Sequence, residues 1–173
     1  MDSRYLLLPL AAIVLPAQAH ATTYLTVEQV QAALFPGETL TADFRTLTND
    51  QISAIRKASG NAPLSPNLKA WRASGGGVLI VDEVVGKHEF ITFALAIDPA
   101  GAARQIEIMD YRESFGDQVR DPKWRAQFTG KKAGDALKLN DDIKNISGAT
   151  LSSKHVTDGV RRLLATYDLV LRH

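Results

Sequence analysis

The chain is 173 residues long, with 20 Lys and Arg against 19 Asp and Glu and a formal net charge of +1. Near-neutral charge gives no electrostatic reason for a nucleic-acid or acidic-membrane partner, and no basic run with interleaved aromatics is present. Cysteine is absent, which excludes disulfides, thiolate metal ligands and cysteine nucleophiles from the chain itself.

Residues 1–21 have the pattern of a secretory signal peptide. Arg4 is a weak basic start, Leu6 to Leu15 an apolar core, and Ala17-Gln18-Ala19 and Ala19-His20-Ala21 are small-residue cleavage patterns. The apolar run is short for a membrane span and interrupted by Pro9. The pattern predicts export to the periplasm; left uncleaved, the segment would anchor the domain in the inner membrane facing the periplasm. About 150 residues then remain, enough for one core.

Residues 22–74 predict a helical and extended opening to the domain. Thr26 and Gln29 have capping-box spacing, and Val27, Val30 and Leu34 share one helix face that Phe35-Pro36-Gly37 ends. Thr39 to Leu47 is predicted extended. Thr48 and Gln51 repeat the capping box and open a helix that stops at Gly60, followed by a loop over Asn61 to Pro66.

Residues 75–173 predict the core of the domain. Gly75-Gly76-Gly77 lacks the lysine and hydroxyl of a phosphate-binding loop, so it serves as a flexible approach to a strand. The apolar run from Val78 to Val85 and the stretch from Phe90 to Ile97 predict two strands, joined by a two-residue turn at Gly86-Lys87. Asp98-Pro99-Ala100-Gly101 predicts a turn, and Gln105 to Met109 alternates as a strand with one solvated face does. Helices on either side of such a meander predict a single α+β domain, an antiparallel strand meander packed with helices.

The most informative stretch is Ile146-Ser147-Gly148-Ala149-Thr150-Leu151-Ser152-Ser153. Beyond it Val156, Val160, Leu163, Leu164 and Tyr167 form the stripe of a helix buried on one side. Ser152 or Ser153 is predicted to cap that helix, and Gly148 to let the backbone approach a ligand closely. Unpaired N–H groups at such a helix start suit a phosphate, with the Thr150 hydroxyl beside it. On residue types alone, the stretch reads as a capped helix behind a glycine turn. Likewise Tyr111 to Val119 reads as a surface loop. His155 lies five residues from Thr150 across a helix start, a poor arrangement for a nucleophile and base. His88 lacks further metal ligands at suitable spacing.

Ser147-Gly148-Ala149-Thr150 resembles the flavin-acceptor motif of the FMN-binding domain family, found in flavin subunits of sodium-pumping quinone reductases and in related exported flavoproteins. The resemblance spans about residues 75–170 and preserves an order: Gly86-Lys87-His88-Glu89, then Glu113-Ser114-Phe115-Gly116, then Gln127-Phe128-Thr129-Gly130-Lys131, then the acceptor stretch. It implies an electron-transfer protein rather than a self-sufficient enzyme. It also implies FMN carried covalently as a phosphoester on Thr150, a separate flavin transferase that installs it, and a membrane or periplasmic redox partner. The cofactor-binding residues it implies are Thr150, Ser147, Gly148, Ala149, Leu151, Ser152 and Ser153, with Glu113, Ser114 and Gly116 bordering the flavin. Trp124 and Phe128 are placed near the flavin or in the core. The family usually has an aspartate three residues before the motif serine; Lys144 stands there, with Asp141 and Asp142 just upstream. That departure implies the alternative of a non-covalent or non-redox module of the same fold.

Overall fold

A computed structural model describes residues 22–172; the predicted signal peptide lies outside the described residues. The chain folds as α+β around one antiparallel sheet. Its strands are β1 (Thr22–Thr23), β2 (Leu40–Ala42), β3 (Arg45–Thr46), β4 (Asn67–Ala73), β5 (Val78–Val85), β6 (Phe90–Ile97) and β7 (Ala103–Tyr111), in the spatial order β1-β7-β6-β5-β4-β2. β3 also pairs with β4 and continues the register of β2, so residues 40–46 act as one extended stretch interrupted at Asp43 and Phe44.

The first two helices begin as their sequence signals require. In α1 (Val27–Leu34) and α2 (Asn49–Ser59), Thr26 and Thr48 accept from the N–H of Gln29 and Gln51, whose side chains reach back to the cap N–H groups. Each box satisfies two donors that the helix geometry leaves open. A short α3 (Pro122–Arg125) follows an Asp121 cap, and α4 runs over Thr150–Thr166.

One face of the sheet is covered by α2 and α4, and the other in part by α1. On one face Ile80, Val84, Ile91, Phe93, Ile106 and Ile108 pack with Ile55 of α2 and with Val156, Val160, Leu163 and Leu164 of α4. On the other face Val30 and Leu34 of α1 cover Leu79, Val81, Ala94 and Ala96. The predicted solvated face therefore survives in part: Gln105 in β7 is exposed, and so are Lys69, Glu83 and Val85 farther along the same face, beyond the reach of α1. The alternation of Gln105 to Met109 is real, but α1 buries part of the neighbouring strands on that side.

α4 is the element that places the site. Four apolar residues of its stripe are buried, each contributing about 1.5–3 kcal/mol. A Cβ on Gly159 would stand 2.7 Å from Val84 and 2.9 Å from Phe93, so glycine there sets how closely helix and sheet approach. Arg162, 4% exposed, spans the interface to Asp82 at 2.8 Å and to the Glu83 carbonyl at 2.9 Å. Arg161 donates to Ser59 and Leu137 carbonyls and so ties α4 to α2 and to the segment before the helix.

Two expectations are corrected here. The β5–β6 turn has its tip at Lys87-His88, because Gly86 N–H pairs with the Glu89 carbonyl. Gly86 is absent from the positive-φ glycines, and its value is space: a Cβ there would stand 2.5 Å from Glu113 Oε1. The second correction concerns α4, which starts at Thr150 with Ala149 as N-cap and no side-chain cap. Ser152 and Ser153 lie inside its first turn. Ser153 donates back to the Ala149 carbonyl at 2.9 Å, and Ser152 is held by Tyr111.

Candidate functional site

A cavity of about 530 Å³ opens where the β5–β6 hairpin, the loop after β7 and the start of α4 meet. That volume is in the range of cofactor clefts. Lys87 and His88 line it from the hairpin, Glu113, Ser114 and Phe115 from the loop, and Gly148 to Ser152 from the helix start.

The geometry begins in β7. Between the pairs Phe93–Ile108 and Thr92–Asp110 the register shifts, leaving Met109 as an extra residue. Such a bulge re-aims the residues beyond it. Tyr111 thereby joins the face carrying Ile106 and Ile108 and meets α4. Its hydroxyl donates to the Phe115 carbonyl at 2.5 Å and lies 2.9 Å from Ser152 Oγ. With its one proton on the carbonyl, Tyr111 accepts from Ser152. Burial pushes the Tyr111 phenol up; Ser152 offsets this in part, and the Glu113 and Asp117 charges add to the rise.

Gly116 lies under this hub at φ +95°. A Cβ there would come within 2.6 Å of the Tyr111 hydroxyl, 2.9 Å of Ser152 Oγ and 3.4 Å of Ala149. Glu113 turns the other way and accepts from the N–H groups of His88 and Glu89. Burial raises its carboxyl, but the backbone donors of Glu89, His88 and Lys87, with the His88 charge, outweigh that and hold it below the usual carboxylate value. His155 closes the arrangement: its Nδ1 lies 3.0 Å from the Gly86 carbonyl, an acceptor, so Nδ1 carries the proton.

The helix start supplies the polar chemistry. Without a side-chain cap and without an acid in its first turn, the seventeen-residue α4 presents N–H donors and a partial positive charge. Thr150 is exposed, and its Oγ1 accepts from Asn145 Nδ2 at 3.1 Å, which leaves the hydroxyl proton uncommitted. Gly148 has φ +83° with nothing within 4 Å of a Cβ. Its use is thus the left-handed turn into the helix rather than a close approach to protein atoms.

Of the predicted site residues, Thr150, Gly148, Ala149, Leu151, Ser152, Glu113 and Ser114 line one cavity. Ser147, Ser153 and Gly116 do not line it. Ser147 is exposed just before the turn, Ser153 is 0% exposed beneath the helix start, and Gly116 supports the wall from below. Lys87, His88 and Phe115 also line the cavity, although they are not among the expected cofactor-binding residues; their place inside the two motifs is the signal that marks them. Trp124 and Phe128 are core residues in edge-on contact at 5.2 Å, away from the cavity wall.

The intervening motif is a brace for the loop that leads into α4. Gln127 accepts from Lys144 N–H at 2.8 Å, Trp124 Nε1 donates to the Lys144 carbonyl at 2.7 Å, and Phe128 is fully buried. Lys131 pairs with Asp142 at 2.9 Å, whose carboxylate also accepts from Leu137 and Lys138 N–H. Burial raises the Asp142 carboxyl, yet these donors hold it below the usual value. Asp142 is therefore committed to the loop. Neither it, Asp141 nor Lys144 lines the cavity.

Fold and cleft together define a one-sheet α+β protein with a cofactor-sized cavity built on a helix N-terminus. Residues 86–165 match the family described as the FMN-binding domain, so an FMN-binding domain is present in the chain. The match begins in the hairpin and includes the loop after β7, the brace and most of α4. It supports association with FMN. The comparison with curated proteins returned no match. Among the described residues no helix is long and apolar enough to cross a membrane, and no cluster of His, Cys, Asp and Glu is suited to a metal ion.

Proposed function

We propose that the protein is an exported electron-transfer flavoprotein that carries FMN as a phosphoester on Thr150. The observation that carries this reading is the exposed Thr150 hydroxyl at the uncapped start of α4, in the wall of a cavity of about 530 Å³. The residues present fit the cofactor. N–H donors and the absence of an acid in the first turn suit a phosphate, while Phe115 and Leu151 offer apolar surface to a ring system. Glu113 is the carboxylate in this wall, and its Oε1 is committed to the hairpin backbone.

Bound FMN supplies redox chemistry through its isoalloxazine. The chain's own residues position and retain it. For attachment, Thr150 Oγ1 would form a bond to the flavin-bearing phosphorus as the donor's phosphoanhydride P–O bond breaks, and the threonine proton would pass to a base of the transferase. The leaving group departs from a flavin phosphoanhydride donor held by a separate flavin transferase. Asn145 orients the oxygen, and the helix-start donors stabilise the phosphate charge. A covalent link prevents loss of the cofactor in the periplasm, where the N-terminal sequence pattern directs the chain. Electrons then pass to or from a membrane or periplasmic redox partner.

A second reading, a non-covalent FMN-binding or assembly module, is favoured by Lys144 in the position of the usual aspartate. Co-export of the chain with a flavin transferase separates the two. Intact mass and in-gel flavin fluorescence are expected to show one FMN on wild type and none on Thr150→Ala. If wild type stays unlabelled while a control acceptor is labelled, the covalent reading fails and the non-covalent one stands.

A further inference from the structure

Phe115 is 85% exposed, more than any other large hydrophobic residue among those described. The backbone that carries it is held on several sides. Glu113 is fastened to the hairpin N–H groups, the Phe115 carbonyl accepts from Tyr111, and Gly116 lies against Tyr111 and Ser152 with no room for a Cβ. Thus the loop holds its phenyl ring out of the core and at the cavity wall, beside Leu151, which is 43% exposed. A loose loop could fold such a ring away from water; this one is fixed.

We propose that Phe115 is the ring-contact residue of the cleft: the flat ring system of the flavin packs against it, and Leu151 extends the apolar surface. The inference rests on the reading of the cleft as the FMN site. It adds that ring capture is separate from phosphate capture, one depending on Phe115 and the other on the start of α4. Aromatic rings recognise flat heterocycles by stacking, without need of a charge on the ligand.

The experiment is a titration of riboflavin, which has no phosphate, and of FMN into the full chain purified without a transferase, read by flavin anisotropy and emission. Phe115→Ala is expected to weaken both ligands by about tenfold, the effect of losing one aromatic stacking partner. Phe115→Trp is expected to retain affinity and to lower bound-flavin emission severalfold, because an indole against the ring quenches it. Phe44→Ala, at another large exposed aromatic (61% exposed), is expected to leave both affinities unchanged. Urea midpoints of the variants establish that each is folded. The inference is overturned if wild type binds both flavins while Phe115→Ala binds them within twofold and Phe115→Trp emission is unchanged. If wild type binds neither flavin and gains none on co-export with the transferase, the reading of the cleft itself falls, and this inference with it. If it holds FMN only covalently, unchanged emission of the attached flavin in Phe115→Trp overturns the inference and a severalfold loss supports it.

Discussion

Gly116→Ala tests whether the hub beneath the cleft is as tight as its geometry indicates. Two costs are involved. The first is conformational: at φ +95° a residue with a Cβ loses about 1–2 kcal/mol relative to its right-handed form. The second is steric, since the new Cβ meets the Tyr111 hydroxyl at 2.6 Å and Ser152 Oγ at 2.9 Å. Relief by moving Tyr111 breaks its bonds to Phe115 and Ser152, worth about 1 kcal/mol each, and strands the hydroxyl of Ser152, which is 4% exposed. Gly134 is the control, because it has φ +93° and nothing within 4 Å of a Cβ. Urea unfolding should therefore show Gly134→Ala losing about 1–2 kcal/mol and Gly116→Ala about 2–3 kcal/mol more, at unchanged m. In thermal scans the extra loss corresponds to roughly 5–10 °C. In a Tyr111→Phe background the nearest atom is gone, so the increment should shrink and the two substitutions should be non-additive. Equal losses for Gly116→Ala and Gly134→Ala would refute the reasoning.

Glu113 makes the hairpin sensitive to acid. Its folded carboxyl lies below the ordinary 4.5, so its stabilisation is complete above that value and is lost as pH falls through the lower folded value. The amide resonances of His88 and Glu89 should hold steady down to about pH 4.5, shift together below it, and show no such step in Glu113→Gln; an unchanged step in the variant would exclude Glu113 as its source. Asp142→Asn keeps the shape but removes the charge and one strong acceptor from the brace, at a cost of about 1–3 kcal/mol in urea unfolding. Under the proposed covalent reading, FMN attachment to Thr150 survives this substitution in native buffer. Loss of attachment at unchanged stability would mean that Asp142 acts as the missing motif carboxylate instead.

What was legible in the sequence was local. Both capping boxes and the Gly60 stop depend on residues within one helix, and they form as read. The long apolar strands β5 and β6 form as well. β4 carries no local signal because Asn67-Leu68-Lys69-Ala70-Trp71-Arg72-Ala73 places only small or isolated apolar residues on each face, and their burial comes from the elements packed on the two faces of the sheet. The cap of α4 departs from its local signal for a related reason. Ser152 and Ser153 are good capping types, but Ser152 is taken by Tyr111, 41 residues away in the chain. The acceptor stretch itself could be found by resemblance, while Phe115 and the hairpin tip enter the wall only through tertiary contacts.

The extra residue at Met109 is the clearest case of function-bearing geometry that no local pattern discloses. Strict alternation after Ile106 and Ile108 would put Asp110 toward α4 and Tyr111 on the opposite face. The bulge reverses this. Tyr111 reaches Ser152 and Phe115, and Asp110 is 9% exposed with Oδ1 lacking a partner among the described residues. The bulge keeps Asp110 out of the apolar face against α4 and leaves its Oδ2 paired with Arg112, while it serves the two walls of the cleft at once. Because one phenol holds both the loop of Phe115 and the first turn of α4, those walls cannot shift independently. The ring surface and the Thr150 hydroxyl are thus fixed relative to each other by the chain itself, and a cofactor that uses both finds its site already assembled.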